Sequence, residues 1–125
     1  MPGRSLIFVY NADHETLPMK NDMIRTVIPG KEACNLLALT FSPVGMKKEW
    51  RRFTQSLGIP VRFLARDEFG AEFRTVQTTF PAAFLQDGKD LFIFLSTEEI
   101  NRCREIEDLM SLVQQRLIEL SGRQE

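Results

Sequence analysis

Residues 80–120 constrain the fold more than any other part of the chain. Phe80–Leu85 is an apolar run with Pro81 at its head, Gln86-Asp87-Gly88-Lys89 is a tight-turn sequence, and Leu91–Leu95 is a second apolar run. Asp-Gly between two β-rich runs predicts a hairpin, and a proline is tolerated where a strand begins. Ser96 or Thr97 then caps a helix, with Glu98 or Glu99 available for a capping box. Ile100, Cys103, Ile106, Met110, Val113, Leu117 and Leu120 give that helix one apolar stripe, and the polar tail 121–125 follows it. The second half is thus read as a ββα unit.

The first half is read as βαβαβ. Ser5–Tyr10 is a continuous β-rich run, apolar enough for a strand buried on both faces. Asn11 or Asp13 caps a helical stretch to about Val27, which Pro29-Gly30 ends. Cys34–Phe41 is assigned to a second strand from its short flanks, Pro29-Gly30 and Ser42-Pro43, although Asn35–Leu39 alone would pass as helix. Met46, Trp50, Phe53 and Leu57 define one helical face, with Gly58 and Pro60 as stop signals. Val61–Arg66 is a third strand. In 67–79, Phe69 and Phe73 can share a short helical face that Gly70 weakens.

Right-handed crossovers make the first three strands parallel. The expected architecture is a single α/β domain over residues 1–125, with a central mixed five-stranded sheet in order 1-3-2-4-5 and helices on both faces. The element sequence β-α-β-α-β-β-β-α resembles the layout of thioredoxin-like proteins over nearly the whole chain. Ser42–Gly45, read as a turn opening a helix, resembles the place where that family carries Cys-x-x-Cys. Pro81, immediately before the fourth strand, stands where the family has its cis-proline, so the resemblance implies a cis Phe80–Pro81 bond. The opening strand is also loosely similar to that of a group of short uncharacterised bacterial proteins. Some of those carry Cys-x-x-Cys where this chain has Cys34-Asn35-Leu36-Leu37.

Composition narrows the function classes. A chain of 125 residues buries about two-thirds of its unfolded surface. Ten phenylalanines point to an aromatic core. A formal net charge of −1 lacks the positive field that non-specific nucleic-acid binding or docking on an anionic membrane needs. No apolar run approaches the length of a membrane span, so a cytoplasmic protein is expected. Two cysteines far apart in sequence are no disulfide framework.

The candidate site residues follow from chemistry. A redox dithiol needs a thiolate at a helix N-terminus and a resolving thiol one turn on, and Ser42 and Gly45 supply neither. Cys34, on the strand reading, lies roughly 25 Å from the sheet edge where the family works, at about 3.3 Å per residue. If its segment is helical instead, Cys34 heads the helix as a reactive thiol with Leu37 in the resolving position. Cys103 falls on the apolar stripe and is read as core. Asn11, Asp13 and His14 follow the first strand, and Arg66, Asp67 and Glu68 follow the third. Parallel neighbours share their carboxyl edge, where open α/β sheets bind ligands. Capping and solvation are the plain reading of those carboxylates, and a polar ligand is the sharper one. No metal and no cofactor are expected.

Lys47, Lys48, Arg51 and Arg52 form a basic flank, read as solvated or as facing a phosphate-bearing or acidic partner. Ile118 lies off the stripe, and a monomer or weak homodimer is expected. The resulting functional expectation is a non-catalytic or atypical thioredoxin-like protein. It would bind a protein or small ligand around Asp13, His14, Ser42, Gly45, Asp67, Glu68 and Pro81. The alternative is a thiol-dependent oxidoreductase or transferase using Cys34 alone.

Overall fold

Five consecutive apolar residues, Leu6 to Tyr10, are wholly buried in strand β1, Arg4–Tyr10. A strand can bury adjacent side chains only when both of its sheet faces are covered. The computed structural model describes residues 3–13, 35–42 and 45–123. In chain order β1 is followed by α1 (Asn35–Thr40), β2 (Phe41–Ser42), β3 (Gly45–Met46) and α2 (Lys48–Gln55). Then come β4 (Val61–Ala65), α3 (Arg66–Glu72), β5 (Ala82–Asp87), β6 (Asp90–Leu95), α4 (Thr97–Asn101) and α5 (Ile106–Arg123). No helix among the described residues is long and apolar enough to cross a membrane.

The main sheet has four strands in the order β4-β1-β5-β6, and β2 pairs with β3 in a separate two-stranded sheet. β1 runs parallel to β4 and antiparallel to β5, and β5 runs antiparallel to β6. The expected adjacency of the first and third strands is therefore present, and so is the hairpin. Gly88 has φ +66°, the left-handed value that the first central residue of a type II′ hairpin turn needs. Alternation along β1 separates two cores. Leu6, Phe8 and Tyr10 join Leu36, Trp50, Ile100, Leu109 and Val113, so α1, α2, α4 and α5 cover one face. Ile7 and Val9 join Phe69 and Phe84, so α3 covers the other.

Three expectations need correction. Asn35–Thr40 is helix, so the second strand of Cys34–Phe41 does not exist as such and the order 1-3-2-4-5 does not hold. β1 takes β4 on one side and β5 on the other, leaving no place between them. Leu36, Leu39 and Thr40 are buried at helical spacing, and Asn35 Nδ2 donates to the carbonyls of Ile100 and Cys103, both at 2.9 Å. That anchor to the last helical region, far away in sequence, outweighs the strand-like flanks. Second, the final helix is broken. Asp108 accepts from the N–H groups of Arg104 (2.9 Å) and Glu105 (3.1 Å), a fresh cap that starts α5 independently of α4. Third, Ser42–Gly45 does not open a helix: α2 begins after Lys47, and Ser42 and Gly45 face each other in a hairpin. The expected helix to Val27 lies outside the described residues.

Ser96 and Glu99 form the anticipated capping box. Ser96 Oγ accepts from the Glu99 N–H at 3.1 Å, and Glu99 Oε1 accepts from the Ser96 N–H at 2.9 Å. Arg116 of α5 reaches the same carboxylate at 2.6 Å and also donates to the Phe94 carbonyl at 2.7 Å. The Arg116 guanidinium holds the Glu99 carboxyl below its ordinary range, against the opposing effect of partial burial. A depressed carboxyl contributes stability in full above its unfolded pKa and loses it as pH falls through the folded value. The stability difference between parent and Glu99→Gln is therefore expected to be largest at neutral pH and to shrink in acid. Urea denaturation over a pH series checks this; a difference independent of pH would contradict the assignment.

Candidate functional site

β1 and β4 end in register, Tyr10 beside Ala65, so the residues that follow them meet at one edge of the sheet. The Arg66 N–H donates to the Ala12 carbonyl at 2.9 Å and extends the parallel pairing past the strands. The Arg66 side chain then grips the opposite loop. Its Nη1 donates to Asn11 Oδ1 at 2.8 Å and its Nε to Asp13 Oδ1 at 3.3 Å, with Nη2 3.2 Å from the same oxygen. The pair is open to solvent, with about half of each side chain exposed (45% for Arg66, 55% for Asp13). An exposed ion pair is worth only ~0.2–1 kcal/mol. Its weight is therefore in positioning the 11–13 loop rather than in stability.

Pro81 enters from the other side. Ala82 pairs with Val9, which brings the buried Pro81 beside the end of β1, and the Phe80–Pro81 peptide is cis, as the resemblance implied. β6 runs antiparallel to β5, so its last residues and the start of α4 reach the same edge, where Thr79 and Thr97 share a hydroxyl hydrogen bond. Phe41 meets Tyr10 edge-on with ring centroids 5.4 Å apart, and Tyr10 Oη lies 3.3 Å from Thr40 Oγ1. Thr40 gives its only hydroxyl proton to the Leu36 carbonyl at 2.7 Å, so Tyr10 is the donor. This contact puts the β2–β3 hairpin beside the carboxyl end of β1, on the face covered by α1 and α2.

The candidate residues divide by what they are already doing. Glu68 reaches back to accept the Ala65 N–H at 2.8 Å, which caps α3. Asp67 is exposed in the first turn of α3. Ser42 Oγ donates to the Gly45 carbonyl at 3.2 Å inside its own hairpin. Asp13 is organised by Arg66, and Pro81 lines the adjoining side. His14 and Cys34 lie outside the described residues, as does Val44. Among the described residues no group of three or more His, Cys, Asp or Glu side chains is placed to hold a metal ion.

Because β5 pairs with β1, the loop in register with Pro81 is Asn11–Asp13 rather than Ser42–Gly45. No thiol stands at 11–13. Cys103, the free thiol among the described residues, is buried, and desolvation pushes its pKa up, as a core residue requires. Sequence reasoning named Asn11 and Arg66 at this edge but missed Thr79 and Thr97. Their position beside the proline and directly after the last strand was the available signal. Compared with family models, curated proteins and solved structures, the chain matches none of them.

Proposed function

We propose that the chain is a thioredoxin-like binding module whose working surface is the edge formed by Asn11–Asp13, Arg66 and Pro81. The observation that carries this reading is the Arg66 grip on Asn11 and Asp13, which fixes a polar loop beside a buried proline at the carboxyl ends of parallel strands. A guanidinium, a carboxylate, a side-chain amide and nearby backbone groups suit a polar small molecule or an extended peptide segment. The test is capture of partners from a lysate by the parent and by Arg66→Ala and Asp13→Ala, with melting curves beside it. Loss of the captured partner at unchanged melting temperature supports the reading. Full capture by both variants overturns it.

A second reading, a thiol-dependent oxidoreductase or transferase using Cys34 alone, is favoured by one specific observation. Asn35, the next residue in sequence, is the first of α1. The objection that a strand would carry the thiol to the far end of the sheet falls with that strand. Alkylation rates against pH test this: a thiolate dominant at neutral pH and absent in Cys34→Ser supports it, and an ordinary thiol pKa rejects it.

A further inference from the structure

We draw no further inference here: the strongest candidate, the basic surface patch that Lys48, Arg51 and Arg52 form along α2 with Lys47 at its head, carries none because nothing in the structure shows what covers it.

Discussion

Replacing Trp50 by alanine is expected to lower the stability of the fold by about 3–5 kcal/mol, the usual range for emptying a large aromatic site in a core. Trp50 is fully buried, set edge-on to Phe8 at 5.4 Å and stacked on Phe53 at 5.7 Å. It links α2 to the central strand. Yet its indole N–H is buried with no hydrogen-bond partner among the described residues. An unsatisfied buried donor costs about 1–3 kcal/mol, so Trp50→Phe removes a penalty as well as some packing. The phenylalanine variant is therefore expected to keep most of the parent's stability. Guanidinium denaturation of the three proteins settles the comparison. A Trp50→Phe loss as large as that of Trp50→Ala would mean that the indole nitrogen does have a partner.

Phe69→Ala is the expected counterpart on the other face of the sheet, again with a loss of about 3–5 kcal/mol. Phe69 is 1% exposed and touches three rings: Phe84 at 4.8 Å, Phe73 at 4.9 Å and Phe80 at 5.9 Å. It is the buried residue of α3. Arg66 begins that helix and Phe80 precedes Pro81, so emptying this position loosens both flanks of the candidate site. Partner capture should fall at temperatures where the variant is still folded by circular dichroism. Intact capture by a folded Phe69→Ala chain would show that the edge is held by the strands alone.

The contrast between the two halves of the chain explains how much of this was legible in advance. The Gly88 turn and the Ser96–Glu99 box rest on contacts three residues apart, and local contacts leave local signatures. The parallel pairing of β1 with β4 was expected from the alternating element pattern together with right-handed crossovers. The short α3 face of Phe69 and Phe73 was also readable, even with Gly70 inside it. Residues 35–40 were not, because six residues carry less than two turns of periodicity. What decides their state is Asn35 bonded to carbonyls 65 and 68 residues away. The break before α5 hid for a different reason. The stripe through Ile100, Cys103 and Ile106 is continuous in sequence, and all three are buried although the helix is interrupted between them. Burial pattern reports which side faces inward and says nothing about an unbroken axis.

The site divides in the same way. That Asp13 and Arg66 would meet followed from strand order, since parallel neighbours bring their trailing loops together. Capping was read for Asp13 and Asp67, and the Ala65 hydrogen bond shows instead that Glu68 is the carboxylate that caps α3. Ser42 was misplaced because its role depended on the absent strand. Once β5 is seen to lie against β1, the proline and the first loop belong together and the hairpin stands aside.

The separation of the two cores by the central sheet also decides what an optical experiment on this protein can detect. The chain has one tryptophan, and it lies wholly on the face shared by α1, α2, α4 and α5. Its emission monitors that layer and has no ring contact with the α3 layer. A ligand that rearranges α3 and the Arg66 loop is therefore expected to leave fluorescence nearly unaltered while shifting near-ultraviolet phenylalanine bands. A titration followed by intrinsic fluorescence alone would record silence at the edge proposed to bind. A tryptophan placed at Phe73, half-buried beside Phe69, would give the second layer its own voice.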